Sequence, residues 1–153
     1  MKRTHRLYIA YGSNMCEVQM MLRCPNSIVL GKGVLKDFEL NFCGNLNGGN
    51  FATVVKKSGA ETPVILWMTT ADDELRLDRY EGYPSFYRKE IIPMSQIELE
   101  GCSTDFNEAY IYIMNSDRLG TPSVYYYAGI LNAYNKFGID TTPLEKAYAR
   151  ADK

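Results

Sequence analysis

Short blocks of apolar residues alternate with polar ones along the chain, and each change of spacing predicts a change of element. Leu7 to Ala10 is a short apolar run that meets Gly12-Ser13-Asn14, after which Cys16 to Leu22 resumes with good helix formers. The reading there is strand, tight turn, helix, with Pro25 helping to stop the helix. Ile28 to Phe42 is rich in β-branched and aromatic residues punctuated by Gly31 and Gly33, which predicts one or two strands with a bend or bulge. Gly44 to Asn50 reads as a loop joining strands. Phe51 to Lys56 and Val64 to Thr69 flank the turn-like KSGAETP segment and predict an antiparallel pair, the second member buried on both faces because it does not alternate.

Thr70 followed by Asp73 has the form of a capping box, and Asp72, Asp73 and Glu74 put negative charge where the dipole of the next helix favours it. That helix should end near Gly82. Arg88 to Met94 and Ala109 to Met114 read as strands, the latter alternating Ala109, Ile111 and Ile113 against Tyr110, Tyr112 and Met114. Thr121-Pro122 predicts a helix running to about Phe137 and stopping at Gly138, and Thr142-Pro143 with Glu145 predicts a last short one. The longer helix carries two apolar stripes, Val124, Tyr127, Leu131 and Tyr134 beside Tyr126, Ile130, Ala133 and Phe137, so it should be covered on more than one side. The order of elements lacks a regular βαβ alternation, and α+β with a mixed sheet or barrel follows.

Composition narrows this further. With 153 residues, 46% apolar and 23% charged, the chain suits one domain spanning 1–153 and has enough apolar material for a core. A formal net charge of −1 provides no field to gather phosphate backbones or anionic lipid, so no nucleic acid partner is expected. Apolar runs such as Val64 to Met68 are far short of the roughly 20 residues that cross a bilayer. Leu7 to Tyr11 is too short for a signal-peptide core, which makes a cytoplasmic location the expectation. Cys16, Cys24, Cys43 and Cys102 are scattered and His5 is the single histidine, an arrangement that suits reduced thiols and argues against a zinc site.

Two places could carry chemistry. Tyr11-Gly12-Ser13-Asn14 sits at a strand-to-helix turn, where backbone N–H groups and the positive end of the helix dipole can hold a carboxylate, although the same residues serve ordinary turns and caps. Glu81 lies at a helix end within LDRYEGYPSFY, amid four aromatic rings whose burial of the carboxyl would raise its pKa toward that of a general base and acid. The bland alternative is a surface ion pair of Glu81 with Arg79 or Arg88. Asp78, one turn earlier, suits the outer surface or a cap. A serine hydrolase built on Ser13 and His5 lacks the second glycine of the nucleophile elbow, and His5 reads as a solvated terminal residue. Tyr125-Tyr126-Tyr127 point three ways on a helix, which favours core packing with one hydroxyl left for a site over base stacking.

Taken together, YIAYGSNM, LDRYEGYP and TPSVYYYAGI, with RCPNS and GKGVLKDFELNF between them, resemble the gamma-glutamylcyclotransferase-like family over nearly the whole chain. The resemblance implies a single-domain mixed β-barrel with flanking helices, a cavity at one end, and neither metal nor organic cofactor. It implies that Tyr8, Ile9, Ala10, Tyr11, Gly12, Ser13 and Asn14 hold the γ-glutamyl part of a small-molecule substrate, that Tyr126 contacts it from across the cavity, and that Glu81 moves the proton. Met15 stands where the family often has leucine, a volume-conserving change. The expected activity is cyclisation of a γ-glutamyl group to 5-oxoproline with release of an amino acid or other amine. The alternative is a binding module of the same fold without turnover. The tail of the substrate is left open, as is a homodimer.

Overall fold

The computed structural model describes residues 4–45 and 48–152, and its strands form one six-stranded sheet. Strand β1 (His5–Ala10) leads through a 3-10 turn (Ser13–Met15) into helix α1 (Glu17–Arg23). Two long strands follow, β2 (Ile28–Gly44) and β3 (Asn50–Thr70), then helix α2 (Ala71–Glu81). Strands β4 (Tyr87–Pro93), β5 (Ile97–Glu100) and β6 (Glu108–Met114) complete the sheet, and helices α3 (Val124–Lys136) and α4 (Thr142–Ala151) follow. The sheet order is β4-β6-β1-β3-β2-β5, with β1 and β6 parallel and the other neighbours antiparallel. No pairing joins β4 to β5 among the described residues, so the expected barrel is an open mixed sheet. β5 is four residues long and pairs only along 32–35 of β2, too little edge to bring the sheet round on itself.

The strand pair expected over 51–56 and 64–69 does not form. Both halves belong to the single strand β3 and pair with β2, Gly44↔Asn50 to Phe38↔Lys56 on one side and Lys36↔Glu61 to Ile28↔Met68 on the other. Between the two runs, residues 57–60 leave the ladder opposite Asp37, whose carboxylate accepts from the Gly59 backbone N–H at 2.9 Å. Gly59 has φ +83°, a left-handed backbone that suits glycine. The turn residues of KSGAETP thus mark an excursion within one strand, because turn chemistry reports a local bend and says nothing about which strand is the partner. Of the one or two strands expected over 28–42, one forms, with register shifts at Val29/Gly31 and Lys36/Phe38 where a bend or bulge was anticipated. The Gly44 to Asn50 loop joins β2 to β3 as expected, with Leu46 and Asn47 outside the described residues. The short IELE strand, β5, was not foreseen from its pattern.

Helix α2 follows its sequence signals closely. The Thr70 hydroxyl accepts from Asp73 N–H and the Asp73 carboxylate from Thr70 N–H, both at 3.1 Å. At the other end Gly82 takes a left-handed conformation, and the Gly82 and Tyr83 N–H groups return to the Arg79 and Asp78 carbonyls. Glu81 is therefore the last helical residue, held at a defined stop. Helix α3 begins later than Thr121-Pro122 suggests: Ser123 is its N-cap, accepting from Tyr126 N–H at 3.1 Å, because the hydroxyl needed at the cap is carried by the residue after the proline. Thr141, not Thr142, occupies the corresponding position before α4.

The core is one continuous cluster. β1 and β6 are buried on both faces, so the two alternating sets of β6 are both interior. Ile130, Ala133 and Tyr134 of α3 are buried, while Val124 at its entry is exposed. Cys24 and Cys43 pack in the core, Cys16 and Cys102 are half-buried, and all four are free thiols. Burial pushes Cys24 up to about 12 and Cys43 up to about 11. None of the described helices is long and apolar enough to span a membrane.

Candidate active site

The end of β1, the 3-10 turn after it, the C-terminus of α2, the start of β3, strands β4 and β6, and helix α3 converge on a cavity of about 200 Å³. The turn is packed so tightly that a Cβ on Gly12 would sit 3.1 Å from Ala52 Cβ and 3.2 Å from the Tyr126 hydroxyl, which explains the glycine. Asn14 is buried and anchors the turn three ways. Its amide donates to the Tyr8 hydroxyl at 3.1 Å, its backbone carbonyl accepts from the Trp67 indole at 3.0 Å, and its side-chain oxygen accepts from the Arg23 guanidinium. Arg23 at the end of α1 also lays its guanidinium over the Tyr80 ring, 3.7 Å from the centroid. The Ser13 and Tyr80 hydroxyls are 3.1 Å apart.

The Tyr126 hydroxyl, which reaches the turn beside Gly12, accepts from Ala52 N–H at 3.1 Å. Tyr87 donates to the Ala52 carbonyl at 2.8 Å, and Tyr11 to the Tyr112 carbonyl at 2.5 Å. Burial raises the pKa of Tyr8, Tyr11, Tyr87 and Tyr126, and the Glu81 charge raises Tyr8 and Tyr11 further, so these phenols stay protonated.

Glu81 differs from them all. Its side chain is partly exposed into the cavity, and its carboxylate makes no hydrogen bond or ion pair with another described residue. The surface pairing with Arg79 or Arg88 does not occur: Arg88 is held by Glu90 at 2.8 Å and by the Met114 carbonyl at 3.2 Å. Burial pushes Glu81 up to about 7, against the opposing pull of the Arg23 charge. A carboxyl so tuned can take up and release a proton near neutral pH.

Of the residues named from sequence, the structure gathers Tyr8, Tyr11, Gly12, Ser13, Asn14, Glu81 and Tyr126 around one cavity. Ile9 and Ala10 lie elsewhere, fully buried in β1 as part of the core. His5 is half-buried at the start of β1, opposite Thr70, rather than solvated, and it does not line the cavity. Asp78 is tied to Lys89 at 2.8 Å and to the Tyr112 hydroxyl at 2.5 Å. Three of the four rings around Glu81 in the sequence, Tyr80, Phe86 and Tyr87, do wall the cavity, whereas Tyr83 turns toward Lys89, 4.6 Å from its ring. Phe51, Ala52, Tyr112 and Arg23 were missed, since they arrive from other elements and no local motif marks them.

The fold is a small α+β arrangement in which one carboxylate, Glu81, lines the same cavity as the Gly12-Ser13-Asn14 turn. The family model described as gamma-glutamyl cyclotransferase, AIG2-like, matches residues 8–128, and the chain belongs to that family. The gamma-glutamylcyclotransferases of Bos taurus and Homo sapiens are each 34% identical over 86 residues, 52% of this chain and 45% of theirs. The match thus spans about half the length of those curated relatives. A solved structure titled gamma-glutamyl cyclotransferase superimposes with a TM-score of 0.81 at 23% identity, covering 95% of this chain and 87% of that one, a likeness of fold.

Proposed function

We infer that this chain is a gamma-glutamylcyclotransferase that converts a γ-glutamyl amide into 5-oxoproline and a free amine, with Glu81 as general base and then general acid. The observation that carries this reading is the Glu81 carboxylate, unpaired among the described residues, lining the same cavity as the Gly12-Ser13-Asn14 turn. A γ-glutamyl compound carries its own nucleophile: its α-amine and γ-carbonyl sit on one chain, and closing the ring needs orientation more than reactive groups. The turn amides, together with the dipole of the following turn, suit the α-carboxylate and so bring the amine to bear. Glu81 takes the ammonium proton as the amine attacks, and returns it to the departing nitrogen, which leaves poorly unless protonated. The protonated phenol of Tyr126 and the turn N–H groups would meet developing charge on the carbonyl oxygen.

Product identity tests this. A γ-glutamyl dipeptide should yield 5-oxoproline, while the same compound acetylated on its α-amine should be inert. Release of free glutamate, or turnover of the acetylated compound, would identify water as the nucleophile and remove the cyclisation reading. A chain that bound 5-oxoproline but turned over neither compound would be the binding module instead.

A further inference from the structure

Arg23 closes helix α1 and reaches out of it to two other elements at once. The edge of its guanidinium donates to the Asn14 side-chain oxygen, with the Ser13 hydroxyl at 3.5 Å, while its face lies over the Tyr80 ring, 3.7 Å from the centroid. Asn14 belongs to the turn after β1, and Tyr80 precedes Glu81 at the end of α2. One side chain thus joins the amide turn to the helix end that carries the carboxyl. A cation at a helix C-terminus ordinarily serves the dipole of its own helix, but this one turns its donors to a neighbouring element. A planar guanidinium can donate from its edge and stack on its face together, which an ammonium group cannot.

The charge of Arg23 is also left open, for it makes no ion pair with another described residue. The other charges near Glu81 are accounted for: Asp78 has Lys89 at 2.8 Å, Arg88 has Glu90 at 2.8 Å, and Arg79 is exposed. The remaining titratable groups that share the cavity with Glu81 are phenols, Tyr8, Tyr11, Tyr80, Tyr87, Tyr112 and Tyr126. Arg23 does not line that cavity itself, so whatever it does there it does through Asn14, through Tyr80 or through its field.

We propose that Arg23 is a positioning residue: by clamping Asn14 and Tyr80 it holds the amide turn and the Glu81 carboxyl in fixed relation, and it keeps an unpaired positive charge near that carboxyl. This rests on the cyclisation reading above and adds a residue to it. The two effects are separable. The clamp concerns geometry: the α-amine must stand against the γ-carbonyl while Glu81 reaches the amine, so a turn and a helix end that drift apart lose rate at every pH. The charge concerns protonation: burial pushes Glu81 up to about 7, and the Arg23 charge is what opposes a further rise. Without that opposition the carboxyl would be largely protonated at neutral pH and unable to take the ammonium proton.

Two readouts separate the effects. One is the pH profile of kcat/KM for 5-oxoproline release from a γ-glutamyl dipeptide; the other is NMR titration of the Glu81 carboxyl in the free chain, its signal identified by loss in Glu81→Gln. Arg23→Met should move the acid limb and the NMR midpoint upward together, by about half to one pH unit. It should also lower the alkaline plateau, where Glu81 is ionised in either chain, by about tenfold. Arg23→Lys keeps the charge without the planar stack, so its midpoint should stay at the wild-type value while its plateau falls. Arg23→Gln can still donate to Asn14 and carries the test of the midpoint if circular dichroism finds the Met variant unfolded. A role confined to fold stability would lower the melting temperature and leave the midpoint unmoved. An unmoved midpoint in a folded neutral variant, or a Lys variant that titrates as the neutral ones do, would overturn the charge effect, and a wild-type plateau in Arg23→Lys would overturn the clamp. Failure of wild type to release 5-oxoproline would remove the cyclisation reading instead, while the NMR midpoints would still decide for or against the hold of Arg23 on Glu81.

Discussion

Helix α2 presents carboxylates in two settings only turns apart. On one side Glu74 and Asp78 are neutralised: Arg6 reaches Glu74 at 2.8 Å, Lys89 lies 2.7 Å from Glu74 and 2.8 Å from Asp78, and the Tyr112 hydroxyl closes on Asp78. At the helix end Glu81 has aromatic walls in place of cations. Burial alone would lower the pKa of Lys89, yet its bonds with Asp78 and Glu74 carry it above its ordinary value. The same helix thus holds an ion cluster that can serve stability and a carboxyl free to exchange protons. What separates them is the identity of the strand residues opposite, not the residue type on the helix.

The sharpest way to break this contrast is Glu81→Gln, which keeps size and removes proton transfer. Turnover should fall about 10² to 10⁴-fold, read as 5-oxoproline release, with cooperative unfolding retained and 5-oxoproline still bound. Wild-type turnover in a folded Gln variant would take Glu81 out of the mechanism. Acid should act on the same group. If Glu81 must be ionised, kcat/KM should lose about tenfold per pH unit below a limb near 7, a limb that the residual activity of the Gln variant lacks.

Stability responds with the opposite sign. Because folding raises Glu81 from near 4.5 to about 7, its contribution to stability is full below the lower value and lost as pH rises through the upper one. Mild acid should therefore silence the proposed turnover before this group gives the chain any reason to unfold.

On the paired side the loss should appear in stability. Lys89→Met leaves Glu74 and Asp78 short of a partner in a largely buried setting, and should cost about 2 kcal/mol in denaturant unfolding after allowing for partial exposure. Thr70→Ala, which removes half of the capping box, should cost about 1 kcal/mol by the same measurement. An unchanged denaturation midpoint for Lys89→Met would mean that the cluster is solvated well enough to be idle.

These cases also show which features a sequence can reveal. The capping box of α2, its stop at Gly82, and the Gly12-Ser13-Asn14 turn are written within a few consecutive residues, so they were legible. Strand partnership was not, because residues 51–56 and 64–69 look like each other's mates and only the far-off β2 decides otherwise. Glu81 and Tyr126 could be named from motif likeness, whereas Arg23 and Tyr112 reach the site by packing of separate elements that no local pattern encodes. Ile9 and Ala10 were included with their neighbours in the motif, but a strand buried on both faces turns them into the core.

The central position of β1 has a further consequence, for synthesis. This early strand finds its antiparallel neighbour at 65–70 and its parallel one at 109–110, and the turn after it meets Tyr126 later still. The ribosome therefore delivers the amide turn long before the surfaces that give it a shape. A nascent chain halted before α3 should display that turn without a pocket, and the binding of 5-oxoproline should emerge abruptly, once Tyr126 has cleared the exit tunnel, rather than grow by degrees.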